Sequence, residues 1–266
     1  MPDVSIVILT FNSLHLLREC IVSLRASFRS VTSEIIVVDN GSDDGTAAWL
    51  AEQGDIKPIL NKENRGVAPA RNQGLAAATG RYLMILDVDT IVTPGAVDTL
   101  VRHMDETPAA GLGAPKLTDG DGHLQNTCRY YPTVLSKIYR RVPFAWAERR
   151  LRDEFLLDWD HDSAREVDYV IGACQIFRRE AWQQTGPLDE AVFYGPEDID
   201  YCLRMWMNGW RVVYFPDAVI RHLEQRITKK VFSRTTWRHV KGLAHYFWKY
   251  KYMFNTLKLP GCRSVK

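Results

Sequence analysis

The sequence predicts an α/β fold, a mostly parallel sheet covered by helices, and three observations carry that prediction. Largely apolar, β-branched runs recur at Val4 to Thr10, Glu34 to Asp39 and Tyr82 to Leu86, the pattern of strands buried on both faces. Segments with helical spacing separate them, and alternation of this kind implies parallel strands joined by crossover helices. Each run also ends in hydrogen-bonding residues: Thr10 and Asn12, Asp39 and Asn40, then Asp87 and Asp89. Ligands of open α/β sheets bind at the carboxyl ends of the strands, so three such ends outline one crevice. At any single site Asp and Asn are ordinary turn formers; their convergence at three favours a nucleotide pocket.

The elements follow in order. After the first strand, Ser13 is placed to cap a helix whose apolar positions Leu14, Leu17, Ile21 and Leu24 recur at helical spacing. The second strand runs into Asn40-Gly41-Ser42-Asp43-Asp44-Gly45-Thr46, a dense turn sequence that opens another helix. A short strand is expected near Ile56 to Leu60. An Ala-rich helix is expected from Val67 to Thr79, with Gly80 ending it. Pro94 is placed to open a helix to about Met104.

From about Pro108 to Arg165 the periodicity weakens, and aromatic residues such as Tyr130, Phe144 and Trp159 mix with Arg140, Arg141 and Arg152. That composition fits a substrate-facing insertion and an amphipathic surface helix equally. Asp168 to Phe177 reads as one strand carrying the small pair Gly172-Ala173, which admits close approach of a ligand or of packed backbone. Tyr194-Gly195-Pro196-Glu197-Asp198 opens a helix closing at Asn208-Gly209, with Pro196 suited to its first position. Acids in a first turn complement the helix dipole, which is a sufficient structural reason for Glu197 and Asp198. Trp210 to Phe215 is a further strand, and Val219-Ile220-Arg221-His222 ends in a lone histidine.

With 266 residues and 46% hydrophobic content, the chain can bury a full core. The net charge of +2 hides an asymmetry: residues 226–266 hold eleven Lys or Arg and no acid, interleaved with Phe232, Trp237, Trp248, Tyr252 and Phe254. Five scattered cysteines (Cys20, Cys128, Cys174, Cys202, Cys262), without a CxxC pair, read as reduced thiols of a cytoplasmic protein. The N-terminus shows no signal-peptide pattern, and no uncharged run approaches the roughly 20 residues that span a bilayer.

The chemistry centres on Asp87-Val88-Asp89. Two carboxylates at the end of an apolar strand repel unless a cation offsets them, and hard oxygen ligands suit Mn²⁺ or Mg²⁺ and, through them, phosphate oxygens. The chain has neither GxGxxG nor GxxxxGK[ST], so phosphate charge falls mainly to the metal.

Taken as an ordered set, SIVILTFN (5–12), IIVVDNGSDDG (35–45), NKENRGVAPARNQG (61–74), YLMILDVD (82–89), GACQIFRR (172–179) and GPLDEAVFYGPEDIDYCLR (186–204) resemble family 2 inverting glycosyltransferases of the Rossmann-like GT-A fold. Rhamnosyltransferase-like and galactofuranosyltransferase-like bacterial members are the nearest in pattern. The resemblance implies a catalytic domain over 1–225, with a nucleotide-binding half to about 107 and an acceptor-side half over 108–225. It leaves 226–266 as a basic, aromatic C-terminal helical extension. Asp39 would accept from the N3–H of a uracil or thymine ring, Thr10, Asn12 and Asn40 would line the nucleoside pocket, and Arg71 would lie beside the base. Asp87 would reach the ribose or a metal-bound water, Asp89 would bind the ion, and His222 would add a ligand. Asp198 matches the general base, Glu197 its support, and Gly172 and Ala173 the sugar and acceptor pocket. Gly186-Pro187 departs from the doubled glycine of many relatives, and Pro196 precedes the Glu-Asp pair; neither removes a reactive group.

The implied partners are a dTDP- or UDP-linked sugar donor and a glycan or polyprenyl-diphosphate-linked acceptor. For residues 226–266, an anionic membrane at the inner face of the plasma membrane, packing on the catalytic domain, and nucleic acid are the three readings; the first is preferred and nucleic acid is not expected. The rival readings of the whole chain are a sugar-1-phosphate nucleotidyltransferase, which needs a Gly-rich, Arg-containing loop that Thr10-Phe11-Asn12-Ser13 lacks, and a silent scaffold, against which intact Asp87, Asp89 and Asp198 stand.

Overall fold

The computed structural model describes residues 1–139, 145–193, 195–223 and 234–251. Of the positions singled out above, Arg140, Arg141, Phe144, Tyr194, Phe232, Tyr252, Phe254 and Cys262 lie outside them.

Three predicted strands form side by side: β1 (Val4–Thr10), β2 (Ser33–Asp39) and β4 (Tyr82–Asp87), with β3 (Ile56–Leu60) at the edge. All three of their pairings are parallel, and helices α1 (Leu14–Ser27), α2 (Thr46–Ala51) and α3 (Val67–Ala77) lie between them in sequence. The register aligns Thr10 with Asp39 and Leu9 with Asp87, so the polar strand ends meet along one edge of the sheet. The apolar residues of β1, β2 and β4 are almost wholly buried, split between two cores, one on each face.

Beyond β4 the sheet becomes mixed. The full order is β3-β2-β1-β4-β10-β6-β11-β5, with β8 (Arg165–Glu166) attached to β11. Here β5 is Thr90–Val92, β6 Ala110–Thr118, β10 Cys174–Arg178 and β11 Arg211–His222. β10 runs antiparallel to both β4 and β6, while β6 and β11 are parallel. α4 (Ala96–Glu106), α7 (Arg179–Thr185) and α8 (Glu197–Met207) cover this half. A two-stranded ribbon, β7 (Cys128–Arg129) with β9 (Tyr169–Val170), and helices α5 (Val134–Tyr139) and α6 (Ala145–Glu154) stand outside the main sheet. α9 (Arg234–Tyr250) closes the described chain.

Several local expectations are corrected. Ser13 makes no side-chain cap; its hydroxyl donates to the Phe11 carbonyl, and Asp44 Oδ2 accepts from the Leu14 N–H at 2.8 Å instead. A carboxylate 30 residues away thus does the capping, which local pattern cannot announce. α3 ends at Ala77, and Gly80 is not its stop but donates its N–H to Ser5 Oγ at 2.7 Å. α4 starts at Ala96 after a left-handed Gly95, two residues past Pro94. Asp168 to Phe177 is two strands, not one: β9 and β10 are parted by a turn containing Gly172 and Ala173. Trp210 to His222 is essentially one long strand with a register shift between Phe215 and Val219. The weak stretch after Pro108 hides β6, a buried central strand. Its glycines suppress the strand pattern because side chains there have no room: a Cβ on Gly111 would lie 2.5 Å from Trp210 Cβ, and one on Gly113 2.8 Å from Met104 Sδ.

Candidate active site

Arg71 organises the crevice. It sits on α3, is 4% exposed, and reaches across to the ends of two other elements. One terminal nitrogen donates to Asp87 Oδ1 at 2.6 Å and to the Gly172 carbonyl at 2.8 Å; the other lies 3.4 Å from Glu197 Oε1. A guanidinium suits this position because its planar fork serves several acceptors at fixed angles. Gly172 is small for the same reason: a Cβ there would stand 2.9 Å from an Arg71 nitrogen. The backbone N–H of Gly172 donates to Asp198 Oδ2 at 3.2 Å, so one turn links Arg71, Asp87, Glu197 and Asp198. Ala173 contributes its carbonyl, which accepts from the Asp87 N–H at 2.8 Å.

The electrostatics follow from burial. The Asp87 carboxyl is held above its ordinary range, chiefly by burial and further by Asp89, with Arg71 pulling against them. Glu197 is pushed up to about 7, first by burial and then by the charge of Asp198, against the attraction of Arg71. Its Oε2 is buried without a hydrogen-bond partner. Burial likewise pushes the Cys20 thiol up to about 12, with Thr90 and the acidic pair as smaller influences, so Cys20 behind the Asp87-Asp89 turn is inert packing.

Asp87, Asp89 and His222 form one cluster, with a ligand atom of each within 4.8 Å of the others. The β5–β11 ladder builds it, since His222 pairs with Thr90 and the Leu223 N–H donates to the Asp89 carbonyl at 2.8 Å. Gln125 then fixes the ring. Its Nε2 donates to the His222 carbonyl at 2.8 Å, which turns Oε1 toward His222 Nδ1 at 2.9 Å and makes Nδ1 the protonated nitrogen. His222 Nε2 therefore faces Asp89 Oδ1, 3.4 Å away, across a gap that a proton or a metal ion must bridge. Two carboxylates and an imidazole oriented through its other nitrogen fit Mn²⁺ or Mg²⁺ as a first set of ligands. The other acid–histidine cluster among the described residues, Asp119, Asp121 and His123, is an exposed turn whose Asp119 accepts from the Asp121 and His123 amides.

The nucleoside-side residues divide. Thr10 and Asp39 are buried at adjoining strand ends; the Thr10 hydroxyl has no hydrogen-bond partner, and Asp39 Oδ1 accepts from the Ser42 N–H at 3.1 Å. Asn40 is spent on the neighbouring loop between β3 and α3: Oδ1 accepts from Asn61 Nδ2 and the Arg65 N–H, and Nδ2 donates to Asn64 Oδ1 and the Gly66 carbonyl. Asn12 adopts a left-handed backbone (φ 48°), and its Oδ1 accepts from the Asp43 N–H. The side chain of Arg71 points to the carboxylates of Asp87 and Glu197. Gln125 was missed in the sequence altogether. A cavity of about 520 Å³ lined by Pro69, Asn72, Trp182, Gly186 and Pro187 contains none of the site residues.

Residues 5–186 match the profile of glycosyl transferase family 2. The chain belongs to that family. As a family 2 glycosyltransferase it is 28% identical over 208 residues to an N-acetylglucosaminyl-diphospho-decaprenol L-rhamnosyltransferase of Mycobacterium tuberculosis, covering 71% of this chain and 66% of the relative. It is 30% identical over 247 residues to a pre-mycofactocin glycosyltransferase of the same species, covering 86% of this chain and 46% of that one. The chain thus spans about half to two-thirds of the length of these relatives. Among solved structures, GalNAc-T7 with UDP, GalNAc and Mn²⁺ superposes with a TM-score of 0.68 at 20% identity, covering 94% of this chain and 49% of that one. A mannosyltransferase of Pyrobaculum calidifontis in complex with GDP-Man and Mn²⁺ gives 0.62 at 23% identity, covering 98% and 66%. At such identity these likenesses establish the fold, which is GT-A. Membership of the glycosyltransferase family sets aside the nucleotidyltransferase reading. The matched span stops before Glu197, Asp198 and His222.

Proposed function

We propose that this glycosyltransferase is metal-dependent and inverting, moving a sugar from dTDP-rhamnose or a UDP-sugar to a hydroxyl of a glycan or polyprenyl-diphosphate-linked acceptor in cell-surface polysaccharide synthesis. The observation that carries the reading is the convergence on one guanidinium of carboxylates from β4 and α8, beside an Asp-Asp-His cluster. The names of the rhamnosyltransferase relative and of the Mn²⁺-bound structural neighbours support it.

Each residue then has a task. Asp198 is held by the Gly172 and Ile199 amides and takes the proton of the acceptor hydroxyl. Such assistance contributes about 10²–10⁴-fold to the rate. With the base on the face opposite the leaving diphosphate, the anomeric configuration inverts. Glu197, its carboxyl raised to about 7 by burial and by the charge of Asp198, carries less than a full negative charge beside Asp198 near neutrality. Arg71 fixes Asp87 and Glu197 relative to each other, and Thr10 and Asp39 receive the base. Asp87, Asp89 and His222 would hold Mn²⁺ or Mg²⁺, which when bound offsets charge developing on the departing nucleoside diphosphate. The basic, aromatic C-terminal segment is read as meeting an anionic membrane at the inner face of the plasma membrane, where a lipid-linked acceptor resides.

Titration calorimetry with dTDP- and UDP-sugars, with and without Mn²⁺, tests this reading, with NMR of the product to assign its anomer. Donor binding that requires the ion and a product of inverted configuration are expected. Indifference to every sugar nucleotide in both conditions would overturn it.

A further inference from the structure

α9 has two faces with different chemistry. The inner face grips the segment that leads into the catalytic helix. Lys249 Nζ lies 2.7 Å from both Asp189 Oδ2 and Asp200 Oδ1, Tyr250 donates its hydroxyl to Asp200 Oδ1 at 2.7 Å, and His245 Nε2 is 3.1 Å from Asp189 Oδ2. Arg238 lies over the Phe193 ring at 3.7 Å. Between these contacts, Gly242 lies so close to the Gly195 carbonyl and Pro196 that any side chain there would collide. Gly195 itself needs a left-handed backbone (φ 47°) and room beside His239, since a Cβ would stand 2.8 Å from His239 Nδ1. Tyr246 and Phe247 are buried in the core cluster that also holds Ile199 and Tyr201 of α8. The start of α8, with Glu197 and Asp198, is therefore fastened to α9 on both sides.

The outer face is unlike any other part of the described surface. Trp237 is 73% and Trp248 74% exposed. Eleven residues apart, they fall within about 20° of each other around the helix and roughly 16 Å apart along it. Val240, Lys241 and Ala244 complete the same exposed stripe, and Lys251 follows it. α9 contains no acidic residue, and residues 226–266 hold eleven cations and no acid. Indoles rimmed by lysines, on a helix without acids, match a lipid interface of negative charge: the rings sit at the headgroup level and the cations meet anionic headgroups. A protein partner would satisfy the indoles but gives no reason for the uniform sign of charge.

We infer that α9 is a docking helix whose outer face, centred on Trp237 and Trp248, seats on an anionic lipid bilayer while its inner face holds the Gly195–Asp198 turn. It deepens the membrane reading above by naming the surface. Docking would fix the orientation of the crevice relative to the bilayer, because the membrane-facing residues and the general base share one rigid attachment. No helix among the described residues is long and apolar enough to cross a membrane.

Flotation of the full chain with vesicles of phosphatidylcholine alone, or mixed with phosphatidylglycerol, tests the inference without donor or acceptor. Binding to the mixed vesicles is expected, weakened at least about tenfold by the double substitution Trp237→Ala/Trp248→Ala and reduced by Lys241→Glu, with an unchanged melting temperature. Four results would overturn it: no flotation of the wild type, equal flotation with neutral vesicles, undiminished binding of the double variant, or light scattering showing a dimer that the double variant abolishes. Because the assay uses no sugar nucleotide, vesicle binding by a protein that ignores all donors would spare this inference and remove the proposed function. Donor turnover without vesicle binding would do the reverse.

Discussion

Arg71 and Asp87, sixteen residues apart on a helix and a strand, meet in a part-buried ion pair of 2.6 Å, and Arg71 also pairs with the buried Glu197. Arg71→Met would strand the buried Glu197 carboxyl and leave the part-buried Asp87 carboxyl without its partner. Loss of one partner of such a pair costs about 3–5 kcal/mol, so denaturant unfolding should shift by that order. Arg71→Lys should recover only part of the loss, because a point-charge ammonium cannot serve Asp87, Gly172 and Glu197 together. Equal stability of the methionine variant would show that the carboxyls are simply neutral in the folded protein.

Asp198→Asn keeps the shape of the side chain and its contact with the Gly172 amide but cannot take a proton. Turnover should fall by about 10²–10⁴-fold while donor affinity, read by calorimetry, stays within error. Near-normal turnover would remove Asp198 from the role of base.

Gln125→Ala releases His222 from its tautomer without touching a ligand atom. Mn²⁺ affinity should drop by about 10–100-fold, the usual consequence of losing an orienting partner, and Asp89→Ala should abolish it. Mn²⁺ titration without nucleotide gives the reading directly. An unchanged affinity in both variants would place the ion elsewhere.

Glu197 sets a pH dependence with a definite sign. Its carboxyl titrates near 4.5 when unfolded and about 7 in the fold, so between these values the native state binds more protons. Stability from this group is therefore present below about pH 4.5 and is lost as pH rises toward 7. The full loss is on the order of 3 kcal/mol. Glu197→Gln should flatten the fall in unfolding free energy between pH 5 and 8, relative to wild type. Parallel pH profiles for the two proteins would show that Glu197 is ionised throughout.

The nucleotide-side strands were legible because a strand covered on both faces writes an unbroken apolar run, and β1, β2 and β4 do so. Their polar ends were legible through convergence, since three successive strand ends carry hydrogen-bonding groups. β6 was not, because Gly111, Gly113 and Pro115 replace the bulky residues that mark a strand, and the cause is the size of neighbours far away in sequence. The direction of β10 was also hidden, as no local pattern distinguishes a parallel from an antiparallel buried strand. Arg71 was placed beside the base by resemblance alone, and only the tertiary fold shows its three partners Asp87, Gly172 and Glu197. Gln125 lies in a loop with no periodicity at all, and its importance comes from two bonds to a residue 97 positions later. For α9, membrane contact and packing on the domain were posed as competitors; the structure shows packing on one face and leaves the other open.

The pairing of Thr90 with His222 has a consequence for biosynthesis. A nascent chain that has released its first hundred residues from the ribosome already carries both aspartates, yet lacks the imidazole that joins them. The three-residue cluster therefore closes only when the strand ending in His222 zips onto the three-residue strand after Asp89, and a cation that needs all three groups would be taken up after that pairing rather than before it.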